Sequence, residues 1–152
     1  IFVNKYRNIF RCRQNIYDWA PLFKGIMIGV LVHFGLIYLP KIFFGNSQII
    51  ISFTLLYGFI HEIGHASILE EPLFRGFLPG YLIKKGWPEK RAWVFQAFLF
   101  WVAHIYYLQK FFTFWIAVPV MTIVLSILVI RRKSILPSIA AHAAYNSMKI
   151  LY

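Results

Sequence analysis

Apolar residues run along the chain in five long stretches, and the positions that punctuate them are mostly basic residues, glycines or prolines. The first stretch covers residues 20–39 and stops at Pro40-Lys41. A short polar connection follows, with Gly45-Asn46 as its turn. The second stretch, residues 49–83, is apolar for 35 residues. As one straight helix it would measure about 52 Å, against roughly 30 Å of bilayer hydrocarbon. It must therefore tilt, bend or break, and Pro72 and Pro79-Gly80 are the expected places, because proline removes a backbone donor and crowds the preceding turn. Lys84-Lys85-Gly86 closes it. Residues 91–108, 111–130 and 134–152 supply three more stretches. The pattern predicts an all-α fold, a polytopic membrane helix bundle of about five hydrophobic helices, as a single domain over residues 1–152. Ahead of it, residues 1–19 interleave Lys5, Arg7, Arg11 and Arg13 with Phe2, Tyr6, Ile9 and Phe10. That spacing fits a helix lying in the membrane interface, and it fits a disordered basic arm as well.

Composition agrees with a membrane protein: 60% of the 152 residues are hydrophobic and 20% aromatic. The net charge of +11 would suit a nucleic-acid partner if the basic residues formed one face. They sit instead in short clusters at the ends of apolar stretches, so the partner expected is the lipid bilayer and not nucleic acid. With the N-terminus in the cytoplasm, the inner segments collect Lys5, Arg7, Arg11, Arg13, Lys84, Lys85, Lys90, Arg91, Arg131, Arg132 and Lys133, and the outer turns hold Lys41 and Lys110. The distribution predicts an integral, multi-pass protein with a cytoplasmic N-terminus. Cys12 is the only cysteine, which excludes an internal disulfide and a cysteine-based zinc site. No short apolar core with a small-residue cleavage site is present, so no removable signal peptide is expected.

The acidic residues carry the chemistry. There are five, and Glu62, Glu70 and Glu71 fall within ten positions of the second apolar stretch. A carboxylate at mid-bilayer costs roughly 2.5–3.5 kcal/mol even on lenient insertion scales, so these groups need partners inside the bundle. Counting from the basic ends, Glu70 and His104 each lie about 20 Å in, and His142 and Asn146 about 12 and 18 Å in. Three helices thus bring polar residues to a similar level, which predicts one buried polar site. Glu71 and Arg75 are four apart with the acid first, the favourable order for a helical ion pair. That pairing leaves Glu70 free, and a free carboxylate near two imidazoles is what a general base for water activation requires. His33 stands alone on an apolar helix and reads as a packed or interface-facing residue.

Glu70-Glu71-Pro-Leu-Phe-Arg75 resembles the EExxxR motif of the CPBP (Abi) family of intramembrane proteases, which includes CAAX prenyl endopeptidases and bacteriocin-processing or immunity proteins. Phe100-Trp-Val-Ala-His104 is similar to the family's FxxxH motif, and His142-Ala-Ala-Tyr-Asn146 to its HxxxN motif. The resemblance covers roughly residues 50–150. It implies a peptidase in which Glu70 activates the attacking water and His104 helps to position or deprotonate it. His142 and Asn146 would stabilise the oxyanion, and Glu71 and Arg75 would support the helix. The implied substrate is a peptide with its cleavage site near the membrane, such as a prenylated C-terminus or a leader peptide, with the site opening toward the cytoplasm. Pro72 inside the first motif and the short chain depart from the pattern.

A rival lies in the same stretch. His61-Glu62-Ile-Gly-His65 satisfies HExxH, in which two histidines one turn apart bind Zn²⁺ and the glutamate acts as base. On a continuous helix His61 and His65 point about 180° and 140° away from Glu70, so the two motifs would face different ways. Zinc is the cofactor under this second reading, and the CPBP resemblance itself leaves a metal-dependent and a metal-free glutamate protease both open. Other protease chemistries fail on inventory: Asp18 is the only aspartate, no Gly-x-Ser-Gly turn is present, and Cys12 lies outside the spans. The non-catalytic alternatives are a binding or immunity protein and a transporter. A transporter fits less well, since the polar residues gather at one depth and do not line a path across the membrane.

Overall fold

A computed structural model describes residues 19–39, 54–63 and 67–148. The basic residues 1–18, the turn at 45–46 and His65 lie outside the described residues, so the readings of them have no structural counterpart. The described residues contain helices and turns and no strand. α1 is Ala20–His33 and continues as a π-helical stretch, Phe34–Tyr38. α2 is Thr54–Glu62. α3, Ile68–Glu71, passes through a π-helical stretch, Pro72–Phe77, into α4, Leu78–Lys84. α5 is Glu89–Ala103; α6, Val118–Arg132, is preceded by the π-helical stretch Thr113–Ala117; α7 is Leu136–Ser147. Among the described residues, two continuous helical segments are long and apolar enough to cross a membrane, Ala20–Ile37 with mean hydropathy 1.8 and Thr113–Arg132 with 2.5.

The prolines act differently from the sequence expectation. The three π-helical stretches named above end two residues before a proline: Tyr38 before Pro40, Phe77 before Pro79, Ala117 before Pro119. A proline offers no N–H to the carbonyl four residues back and its ring crowds that carbonyl, and a wider turn relieves both. The helix therefore widens ahead of Pro79 and does not break there. Pro72 itself keeps helical dihedrals (φ −60°, ψ −38°) as the first residue of the widened turn.

The most extensive packing joins α1 to α7. Gly25 lies against the Pro137 carbonyl and Gly29 against the Ala141 carbonyl, so close that a Cβ at either glycine would run into it. One turn further on, the ring of His33 meets Tyr145 edge-on and donates from Nδ1 to the Tyr145 carbonyl at 2.9 Å. Residue numbers rise together across this seam, so the two helices run parallel. His33 is thus a packed interface histidine.

The two ends of the bundle differ. Trp93, Val129 and Ile135 pack together at the end that carries Lys84, Lys85, Lys90, Arg91 and Arg131–Lys133. There Gly86 (φ 92°) turns α4 into α5, and Lys133 (φ 51°) ends α6. At the other end Trp101 donates from Nε1 to the Phe114 carbonyl at 2.9 Å, joining α5 to the segment that leads into α6. Between the ends, buried Ser126 donates to Gln96.

α5 is shorter than its apolar stretch. The expected span to residue 108 stops at Ala103, followed by a turn at His104 and a single 3₁₀ turn, Ile105–Tyr107. The imidazole of His104 takes the Phe100 carbonyl at 2.7 Å, the acceptor that the His104 backbone N–H would use in a continuing helix. That N–H turns to the Trp101 carbonyl instead, at 3.0 Å.

Candidate active site

The polar residues of four described segments meet in a cavity of about 250 Å³ at the Trp101 end of the bundle, lined among others by Glu62, Glu70, His104, His142 and Asn146. Each is brought there by a local feature of its helix.

Glu71 and Arg75 form the support. Both are fully buried, and Arg75 Nη1 donates to Glu71 Oε1 at 3.0 Å across one turn, the pairing expected from their spacing. The Arg75 guanidinium also lies over the Phe100 ring, 3.7 Å from its centroid. Phe100 thus does two things: its face receives a buried cation, and its carbonyl holds the His104 ring. The sequence reading gave it no role, and the FxxxH spacing was the available signal.

Glu71 reaches one residue further. His142 Nδ1 lies 2.9 Å from Glu71 Oε1, and since the carboxylate is the acceptor, Nδ1 carries the proton. The other ring nitrogen, Nε2, faces Glu70 Oε2 at 3.9 Å. The same logic applies to His104: its Nδ1–H is committed to the Phe100 carbonyl, which leaves Nε2 as the acceptor of the neutral ring. Glu70 has its Oε2 buried without a hydrogen-bond partner. The site therefore pairs a carboxylate that has an uncommitted oxygen with an imidazole that has an uncommitted basic nitrogen. A water between such groups can lose a proton.

On the other wall, Asn146 donates from Nδ2 to Glu62 Oε2 at 3.1 Å. Asn146 keeps a second N–H, because a primary amide has two. Glu62, which the sequence names only as the base of the HExxH reading, lines the same cavity as Glu70. The eight-residue spacing held the signal, since residues eight apart lie about 80° from each other on a helix.

Of the HExxH residues, His61 and Glu62 are described and His65 lies outside the described residues. His61 is half-exposed, with its ring near Tyr57, while Glu62 points into the cavity. Among the described residues no group of three or more histidines, cysteines or acids is placed to hold a metal ion.

Tyr106 and Tyr107 also line the cavity, their ring centroids 4.1 Å apart, on the 3₁₀ turn after His104. The cavity thus lies toward the end of the bundle away from the clustered basic residues. Among the described residues the cavity and the clustered basic residues lie toward opposite ends of the bundle.

Residues 52–148 match the family described as type II CAAX prenyl endopeptidase Rce1-like. The chain belongs to that Rce1-like family. No curated protein and no solved structure matches it. As an Rce1-like chain it is a membrane protein and a peptidase of the CAAX type, in agreement with the three motifs. The matched residues take in α2 to α7 and leave out α1, the helix that packs most closely on α7.

Proposed function

We propose that this Rce1-like protein hydrolyses a peptide bond near the membrane with a water activated by Glu70. The observation that carries the reading is the Glu70 carboxylate, which has one oxygen without a partner, beside His142 and in one cavity with His104. Glu70 takes a proton from the water, with His104 Nε2 holding the water in place, and the hydroxide attacks the carbonyl carbon. The oxyanion that forms meets the second N–H of Asn146. His142 adds a donor from Nε2 only when both of its ring nitrogens carry protons, because Nδ1–H already serves Glu71. When the carbon–nitrogen bond breaks, the proton on Glu70 passes to the leaving amine and the carboxylate returns. Fixed donors of this kind account for factors of about 10²–10³ elsewhere. No step runs through a metal.

The substrate class proposed is a membrane-proximal peptide, with a prenylated C-terminal peptide as the first probe and a leader peptide as the second. The basic clusters support a cytoplasmic N-terminus. With that orientation the cavity lies nearer the opposite face, and labelling of Lys110→Cys and Lys85→Cys by a membrane-impermeant thiol reagent from each side checks it.

The deciding experiment is cleavage of a quenched prenylated peptide by purified protein in detergent or nanodiscs. Wild-type protein should cut it and Glu70→Gln should not, with both equally folded. Turnover that survives in Glu70→Gln would refute the mechanism. Binding without cleavage by wild type would favour a non-catalytic role.

A further inference from the structure

Glu62 has no part in the three motifs, yet it lines the catalytic cavity and holds the amide of Asn146. We propose that Glu62 is a positioning residue, fixing the Asn146 side chain so that its second N–H points at the oxyanion. The inference rests on the proposed function above, since it gives Asn146 its donor role.

The geometry supports this in three ways. An asparagine amide can rotate about its last side-chain bond and can exchange its oxygen and nitrogen at little cost, so a donor role needs something to hold it. Glu62 supplies an acceptor at 3.1 Å, and an acceptor selects nitrogen over oxygen on the side facing it. The bond also ties α2 to the last turn of α7, two helices that pack together. Finally, Glu62 is partly buried, with about a quarter of its side chain accessible, so water competes weakly for that bond.

Its charge works against the same step. A carboxylate beside a developing oxyanion repels it, and the bond to Asn146 must outweigh that repulsion for Glu62 to help. The two contributions can be separated, because glutamine keeps the acceptor and removes the charge, whereas leucine removes both.

The test measures kcat and KM for the prenylated reporter in Glu62→Leu, Glu62→Gln, Asn146→Ala and the double variant Glu62→Leu/Asn146→Ala, with thermal melts of each. Glu62→Leu should lower kcat by 10- to 100-fold with KM within about twofold, and Glu62→Gln should recover most of that loss. The double variant should be no slower than Asn146→Ala alone, because residues that act as one unit are not additive. Multiplying effects in the double variant, or wild-type kcat in Glu62→Leu, would overturn the positioning role. So would a collapse of folding in Glu62→Leu and in Glu62→Ala alike, which would make Glu62 a residue of the fold. If Asn146→Ala itself turns over at the wild-type rate, the oxyanion assignment fails first, and that outcome is distinct from a silent Glu62.

Discussion

The seam between α1 and α7 and the cavity on the far side of α7 are built from opposite materials. The seam is glycine on backbone, and its buried imidazole, His33, is matched to the Tyr145 carbonyl. The cavity wall carries carboxylates and imidazoles, and its Glu70 keeps a buried oxygen unsatisfied. α7 serves both. Ala141 and Tyr145 meet α1, and the next residues along, His142 and Asn146, line the cavity about 100° further round the helix. Close small-residue packing lets helices associate in lipid, where apolar burial gives little preference for one helix over another. One helix face can therefore carry the packing while its neighbour holds groups that packing alone would reject.

This contrast predicts that changes on the cavity side cost rate and changes on the seam cost stability. Glu70→Gln should lower kcat by three to four orders of magnitude, about 4–5.5 kcal/mol of barrier. Its melting temperature should stay level or rise, because an amide is cheaper to bury unpaired than a carboxylate. A large drop in stability would mean that Glu70 is a structural residue after all. Arg75→Leu tests the exception, since Arg75 sits on the cavity side yet supports the fold. It leaves Glu71 a buried charge without its cation, a loss of about 3–5 kcal/mol, and unfolding by denaturant or heat should register it. Gly29→Leu on the seam should lose about 1–3 kcal/mol of stability by overpacking, while the folded fraction keeps the wild-type KM. The smallest effect is expected at the zinc rival. His61→Ala should leave cleavage unchanged, and chelator should leave it unchanged as well. Bound zinc lost together with activity in His61→Ala would restore the HExxH reading.

Much of this arrangement could be read in the sequence, for reasons of spacing. The four-residue step from Glu71 to Arg75 predicts the pair that forms, and depth counted from the basic ends brings Glu70, His104, His142 and Asn146 to one level. The fold class followed from apolar stretches too long and too numerous for a soluble domain of this size. Three features were harder to read. Glu62 was assigned by the motif that contains it, although its spacing to Glu70 pointed to the same cavity. Gly25-x-x-x-Gly29 is a close-packing signal whose partner, α7, lies more than a hundred residues away, and spacing within one helix cannot name a partner. The end of α5 is not marked in the pattern, because apolar residues continue past Ala103.

At that stop a side chain imitates the main chain: the ring of His104 holds the Phe100 carbonyl, the acceptor that a further turn of helix would use. Replacing His104 by alanine would remove that bond just ahead of Tyr106 and Tyr107, which line the cavity. A dead His104→Ala protein would then report a reshaped cavity wall as readily as a missing base. Asparagine, whose side-chain amide can donate to the same carbonyl, would keep that bond while removing the imidazole, and is the cleaner replacement.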